Sequence, residues 1–170
     1  MKKWILAVGL AILALPLGAS AQSKDALVGT WKLVSATDTT EKGEKRDAFG
    51  SGAVGFLIYT ADGRMTAMIS HGGRKALSVP DYIAAPAEER AAAFATFTAY
   101  AGTYTLESNR VIHHVQIASL QNRVGSDQVR TIVKLQDDEL ILRTPPFLKG
   151  GRMVTTELTW QRLKGAGASQ

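Results

Sequence analysis

The sequence predicts an all-β protein: about eight antiparallel strands that close into an up-and-down barrel, with one helix between the third and fourth strands. Three observations lead to this prediction. Short segments rich in β-branched and aromatic residues recur along the chain, tight turns join most of them, and a single segment has the composition of a helix. Closing the meander would remove the exposed edges of an open sheet.

The first residues have the three parts of a secretory signal peptide. Two lysines precede an apolar run at 4–17, and the small residues Ala-Ser-Ala follow at 19–21. The run is shorter than the roughly 20 residues that span a bilayer core, which argues against a permanent anchor. We expect a cleaved signal peptide at 1–21, an exported protein in the periplasm or outside the cell, and no stable membrane insertion after cleavage.

The residues that remain, 22–170, are enough for one domain with its own core, which we place at about 27–163. Removing Lys2 and Lys3 lowers the formal net charge from +5 to +3. The chain contains no dense cluster of basic residues, so we expect no nucleic-acid partner. It also contains no cysteine, which excludes disulfides, thiol chemistry and zinc-thiolate sites.

The segments before the helix predict the first three strands. LVGTWKLVSA, starting at Leu27, alternates with period two, and a polar loop follows it. AVGFLIYT and RMTAMIS flank the dipeptide Asp62-Gly63. Because Asp-Gly supplies the positive φ values of tight turns, these segments predict a hairpin with strands at about 53–60 and 64–70.

One Ala-rich segment predicts a helix at about 86–99. Pro86 suits the first helical position, two glutamates suit the first turn, and good helix formers follow. Phe94, Phe97 and Tyr100 recur at three-residue spacing. We therefore expect one aromatic edge of this helix to pack across the outside or the end of the sheet.

The rest of the chain predicts five more strands. Their segments are TYTLES, VIHHVQIAS, QVRTIVKL, LILRTPP and RMVTTELTWQR. With the first three they make about eight strands. A barrel of eight strands is just wide enough to be filled by side chains or to hold one small ligand.

A triplet in the first strand and an arginine in the last resemble a known signature. Gly29-Thr30-Trp31 is similar to the glycine-x-tryptophan motif that opens the first strand of lipocalins, which place an arginine over the tryptophan from the last strand. Arg162, after Trp160, stands at that place. A guanidinium over an indole face contributes roughly 0.5 to 2 kcal/mol and would hold the first strand to the last.

A longer series of motifs resembles the bacterial lipocalin-like domain family over about 27–163. The motifs are GTWKLVS, YTADGRMTAMIS, the pattern from Phe94 to Tyr104, VIHHVQIASLQNRVG, QVRTIVKL and LILRTPP. Relatives typically have Asn/Pro-Asn-Trp-x-Gly after the histidine strand, where this chain has QNRVG, and a cysteine common among them is Ala101 here. The resemblance implies a small up-and-down barrel and no single agreed chemistry.

Two of the three histidines are adjacent in VIHHVQIASL. Alternation places His113 with Val115 and Ile117 on the more apolar, inward face and His114 outside, unless a bulge reverses them. A buried neutral imidazole needs a partner for each ring nitrogen. The candidate partners are Tyr59, Tyr104, Arg130 and Arg143. His113 is then a hydrogen-bonded core residue, a wall residue of a ligand cavity, or a general acid or base.

Arg130 allows two interpretations. In QVRTIVKL the apolar face is Val129, Thr131, Val133 and Leu135, so alternation points Arg130 outward. The resemblance, however, repeatedly shows an arginine at this place. A bulge would turn Arg130 inward, where it would attract a carboxylate or enolate ligand. Phe56 and Trp160 are expected in the core or in a cavity wall.

We expect no metal site and no cofactor. Adjacent strand histidines point to opposite faces, so His113 and His114 cannot bind one ion together. The third histidine, His71, lies in SHGGRK and is expected to be solvated. A haem with one axial histidine is compatible with an open barrel, but no other feature of the sequence favours it.

The leading hypothesis is an exported, monomeric or weakly dimeric barrel that binds a small hydrophobic molecule in its open end. The candidate ligand-binding residues are His113, Tyr59, Tyr104, Arg130, Phe56 and Trp160. The alternative is an isomerase, cyclase or lyase that acts on a small metabolite, with His113 as its acid or base. A third hypothesis is a filled barrel with a structural or envelope-stress role.

Overall fold

Antiparallel strands make up most of residues 24–164, the part of the chain that the computed structural model describes. The predicted signal peptide lies outside the described residues. The elements in chain order are α1 (Lys24–Leu27), β1 (Gly29–Thr40), β2 (Lys45–Asp47), β3 (Val54–Tyr59), β4 (Arg64–Ser70), α2 (Ala87–Ala95), β5 (Phe97–Glu107), β6 (Arg110–Ala118), a 3-10 turn (Gln121–Arg123), β7 (Asp127–Gln136), β8 (Glu139–Arg143), β9 (Phe147–Lys149) and β10 (Arg152–Arg162). Neither helix of this part of the chain is long and apolar enough to cross a membrane.

Eight of these strands close into the barrel that the sequence predicts. They pair in the order β1-β3-β4-β5-β6-β7-β8-β10, and β10 pairs with β1 to complete the ring. The short strands β2 and β9 add to the sheet beside β1 and β10. The predicted antiparallel barrel of about eight strands is confirmed, as is the helix between its third and fourth strands.

The predicted hairpin at Asp62-Gly63 is present. The observed strands β3 and β4 start and end within one residue of the predicted ones. Gly63 has a φ of +89°, and the N–H of Thr60 donates to the carbonyl of Arg64 at 3.0 Å. This bond encloses a three-residue loop, 61–63, that requires positive φ at its glycine.

The helix is shorter than predicted. It ends at Ala95, and Phe97 already pairs with Ser70 as the first residue of β5. Strand pairing overrides helix propensity in this run of aromatic and β-branched residues. The predicted aromatic helix edge is wrong: α2 has no buried residue, Phe94 is 55% exposed, and Tyr100 is buried on a strand.

A β-bulge in β6 interrupts the alternation. Two consecutive residues of β5 pair with Val115 and Ile117, which leaves Gln116 without a partner across the pair. His113 and Val115 are buried on the inner face as predicted, but Ile117 is 66% exposed. The inward prediction for Ile117 is wrong because one extra residue reverses the alternation beyond the bulge.

A second bulge, in β7, decides the direction of Arg130. The register of β7 with β8 shifts between Ile132 and Lys134. Before the shift, Arg130 lies opposite the buried Val111 and shares the inner face with Ile132. After the shift, Leu135 lies opposite the buried Leu140 and is therefore also on the inner face. The outward direction that strict alternation favours for Arg130 is wrong because the predicted apolar face spans the bulge.

Arg162 fastens the closed end of the barrel. Its guanidinium lies 4.0 Å from the centroid of the fully buried Trp31 ring, and it donates to the carbonyl oxygens of Val28 at 2.5 Å and Ala26 at 2.6 Å. Gly29 has a φ of +139°, and a Cβ there would stand 2.7 Å from Nη1 of Arg162. Glycine is needed at this position for both its φ and its lack of a side chain.

We expect Arg162→Met to lower the free energy of unfolding by about 2–4 kcal/mol, because it removes a stacked cation and two charge-assisted hydrogen bonds. Urea unfolding followed by tryptophan fluorescence measures the change. Arg152→Met is the matched control, since Arg152 lies on the same strand and its side chain is 64% exposed. This substitution should change the free energy of unfolding by less than about 0.5 kcal/mol. Equal effects of the two substitutions would contradict the assigned role of Arg162.

Candidate ligand cavity

The end of the barrel opposite Trp31 contains a cavity of about 360 Å³. Side chains from the inner faces of several strands form its apolar wall: Leu57, Ala67, Ile69, Leu142, Leu158 and Trp160. Residues at the rim come from connecting segments, from the end of α2 and from β9: Phe49, His71, Ala95, Phe147, Leu148 and Lys149. The volume falls within the roughly 300–1,000 Å³ of small-molecule pockets.

His113 lies in the wall of this cavity between two tyrosines. It is 1% exposed. Its Nε2 is 2.6 Å from the hydroxyl of Tyr59 and its Nδ1 is 2.9 Å from the hydroxyl of Tyr100. Both ring nitrogens therefore have the partners that a buried imidazole needs.

Burial keeps His113 and Tyr59 uncharged at neutral pH. It lowers the pKa of His113 well below its ordinary value, and the charges of Arg130 and His114 lower that pKa further. Burial, followed by repulsion from Tyr100, raises the pKa of Tyr59 well above its ordinary value, although Arg130 opposes this shift. The imidazole is thus neutral, and Tyr59 retains its hydroxyl hydrogen.

Two arginines reach the cavity from neighbouring segments. Arg130 extends from the inner face of β7, and one of its Nη atoms donates to the carbonyl of Val129 at 2.7 Å. Arg123 belongs to the 3-10 turn, with its guanidinium 5.9 Å from the centroid of the Tyr100 ring. Both line the cavity, so its apolar wall is interrupted by two cations.

Three of the six predicted ligand-binding residues line the cavity: His113, Arg130 and Trp160. Tyr59 is fully buried behind His113. That these four residues bind a ligand stays a prediction. Two residues that the sequence did not select, Tyr100 and Arg123, also line it. Tyr100 was predicted to extend the aromatic edge of the helix at about 86–99, and Arg123 lies in an irregular turn where no periodicity applies.

The other two predicted ligand-binding residues lie elsewhere. Tyr104 packs its ring 4.8 Å from that of Tyr59 and donates its hydroxyl to the carbonyl of Thr60 at 3.0 Å, at the closed end of the barrel. Phe56 is on the outer face of β3, because its neighbours Gly55 and Leu57 take the inner face. Neither side chain lines the cavity, and a role for them in ligand binding stays a prediction.

The remaining histidines also differ in their surroundings. His114 faces outward as predicted, with Nδ1 2.7 Å from a carboxylate oxygen of Asp127 and Nε2 3.1 Å from the hydroxyl of Thr105. His71 was expected in solvent but lies at the rim, its ring 5.1 Å from that of Phe49. Between residues 24 and 164, no three His, Asp or Glu side chains form a group suited to a metal ion.

A buried carboxylate holds β9 at the rim. Asp38 is fully buried, accepts a hydrogen bond from the Thr156 hydroxyl at 2.7 Å, and pairs with Lys149 at 2.9 Å and Arg46 at 3.5 Å. Lys149 donates in addition to the carbonyl of Ala48 at 2.9 Å. These contacts join β1, β9 and β10 beside the opening.

A closed eight-stranded barrel with an apolar cavity at one end is the architecture of barrels that hold one small ligand. The family described as lipocalin-like domain matches residues 28–163 of this chain. The chain therefore belongs to the lipocalin-like domain family.

The chain is also similar to two individual proteins. The chain is 30% identical over 108 residues to the 4'-hydroxy-3'-methoxypropiophenone carrier protein ppsC of Aspergillus oryzae (strain ATCC 42149 / RIB 40), covering 58% of this chain and 96% of that protein. It is also similar to the solved structure of a redesigned β-barrel, with 12% identity, a TM-score of 0.40, and coverage of 82% of this chain and 94% of that one.

The neutral His113 predicts a stability that falls as the pH falls. An unfolded histidine takes up a proton below a pH of about 6.5, and the folded one does not until its lower pKa is reached, so the unfolded state binds more protons in that window. The protein should lose up to about 1.4 kcal/mol per pH unit there.

His113→Gln should remove this dependence. The measurement is urea unfolding of both proteins at pH 7.5, 6.5 and 5.5. His71→Gln is the comparison variant, because burial and the charges of Lys149 and Arg74 lower the pKa of His71 too. Since His71 is only half-buried, His71→Gln should reduce the pH dependence of the free energy of unfolding less than His113→Gln does. Parallel stability curves for the protein and its His113→Gln variant would contradict the buried neutral imidazole.

Proposed function

We propose that the protein binds a small hydrophobic molecule in the barrel cavity and acts as its carrier. The observation that carries this proposal is the cavity of about 360 Å³ with a mostly apolar wall. A barrel filled by its own side chains would leave no such volume. That the relative from Aspergillus oryzae is named a carrier protein supports the same function.

The wall is suited to bind without rearranging. Leu57, Leu142 and Trp160 are each at most 2% exposed and belong to strands paired on both sides. A ligand that enters such a cavity gains about 25 cal/mol for each Å² of apolar surface it removes from water. Little of that gain is lost to ordering the protein, because the wall is already fixed.

Filling the cavity should abolish binding. Ala67 lines the wall and is 6% exposed, so Ala67→Phe places a ring where the ligand would lie. Val34→Phe is the matched control, since Val34 is 62% exposed and does not line the cavity. We expect the uncharged probe N-phenyl-1-naphthylamine to bind the protein and Val34→Phe equally, and Ala67→Phe at least about tenfold more weakly, or about 1.4 kcal/mol.

The increase in probe fluorescence and the shift in melting temperature measure this binding, since a ligand that prefers the native state raises its stability. Circular dichroism verifies that Ala67→Phe is folded, and Ala67→Leu serves if it is not. Unchanged probe affinity in a folded cavity-filling variant would refute binding in the barrel. So would a native protein that neither binds the probe nor gains stability from it.

We also propose that the carrier works after export, because residues 1–21 have the composition of a cleavable signal peptide. Expression of the full chain in a bacterium followed by mass spectrometry of the periplasmic fraction tests this. The expected mature protein begins at Gln22. Recovery of uncleaved chain from the cytoplasm alone would refute export and leave the binding proposal standing.

A further inference from the structure

Resting on the proposed binding function, we propose that the preferred ligands are apolar carboxylates, whose carboxylate group is bound by Arg123, Arg130 and the hydroxyl of Tyr100. Three features of the cavity favour such a ligand: the charge in its wall, the direction of one hydroxyl hydrogen, and a buried donor that has no partner among residues 24–164.

The two arginines bring positive charge that the protein itself does not neutralise. Neither Arg123 nor Arg130 forms an ion pair within residues 24–164. Asp127 lines a neighbouring surface pocket with both arginines, but its carboxylate lies 2.7 Å from Nδ1 of His114. Asp38 pairs with Lys149 at 2.9 Å. Two partly buried cations in an apolar wall are stabilised by an anion that the ligand supplies.

The charge of Arg130 acts on the polar residues beside it. It adds to the lowering of the His113 pKa by burial, and it opposes the rise that burial causes in the pKa of Tyr59. The pKa of Arg123 is lowered mainly by burial, with Tyr100 opposing this and Arg130 adding to it. Mutual repulsion of the two guanidinium groups favours a bound anion between them. The planar guanidinium matches the two oxygens of a carboxylate.

The hydroxyl hydrogen of Tyr100 is directed by the residues behind it. Tyr59 is 1% exposed, and within the described chain its hydroxyl bonds only to Nε2 of His113. Tyr59 must therefore donate to Nε2, since the reverse arrangement would bury its hydrogen without an acceptor, at a cost of about 1–3 kcal/mol. The ring hydrogen then stands on Nδ1 and is donated to the oxygen of Tyr100.

It follows that Tyr100 keeps its own hydrogen for a partner in the cavity. Trp160 adds a second donor: it lines the cavity, and its buried Nε1 has no hydrogen-bond partner among residues 24–164. Buried donors that lack partners are rare in native structures and call for an acceptor. Two cations and two neutral donors beside an apolar wall fit a ligand with an apolar body and an acceptor that is negatively charged.

A matched pair of probes tests the preference: 2-naphthoic acid and methyl 2-naphthoate have the same aromatic body, but only the first is an anion at pH 7.5. Calorimetric titration should give at least about tenfold tighter binding of the acid. Arg123→Met and Arg130→Met should each weaken the acid about tenfold and change the affinity for the ester by less than about twofold. Tyr100→Phe should weaken the acid about threefold or more.

Arg152→Met is the charge control, because it removes one positive charge outside the cavity lining. Equal affinity for acid and ester, or an equal loss in Arg152→Met and Arg130→Met, would overturn the inference while leaving the proposed binding function intact. Failure of the native protein to bind N-phenyl-1-naphthylamine would instead refute the proposed binding function itself.

A second measurement tests the hydroxyl direction without any ligand. The ¹⁵N chemical shifts of the His113 ring should show hydrogen on Nδ1 and an unprotonated Nε2 at pH 7.5. The opposite tautomer would mean that Tyr100 donates to the ring and offers the ligand no hydrogen, and would overturn that part of the site.

Discussion

The pairing of the first barrel strand with the last is the constraint on which the cavity depends. β1 and β10 run side by side from Trp31 opposite Arg162 to Thr40 opposite Val154. At one end of this seam the stacked Arg162 fastens the backbone of the preceding segment, and the indole of Trp31 donates to the carbonyl of Leu27 at 2.9 Å. Because that end is filled, the space that remains inside the ring lies at the other end.

His113 links the filled half of the barrel to the hollow half. On one side it bonds to Tyr59, whose ring packs against Tyr104 in the core. On the other side it bonds to Tyr100, which faces the cavity. The position of the cavity hydroxyl is thus set by the rigid core, through a hydrogen-bond chain that the low dielectric of the interior strengthens.

The parts of the structure that follow local rules could be predicted from sequence. The Asp62-Gly63 hairpin follows from turn geometry, and the inward position of His113 follows from alternation in a strand that is regular up to that residue. The closed barrel follows from the number and spacing of the strands.

The parts that depend on pairing between strands could not be predicted. Tyr100 lies in an Ala-rich stretch whose composition favours a helix, and only its pairing with β6 and β4 makes it a strand residue. Arg130 faces inward because of a bulge, and a bulge leaves no reliable mark in a single sequence. Arg123 lies in a turn, where side chains do not alternate between two faces, so its direction could not be inferred from its position in the sequence.

The fastening of β9 by Asp38 has a consequence for how molecules reach the interior. Phe147 and Leu148 on that strand are 37% and 69% exposed, so lifting it away breaks the contacts of Lys149 and uncovers little new apolar surface. Separating β1 from β10 at the opposite end of the barrel would expose Trp31 and Leu27 to water. Local opening at β9 therefore exposes less apolar surface than opening at the Trp31 end, and its main cost is the separation of Lys149 from the buried Asp38.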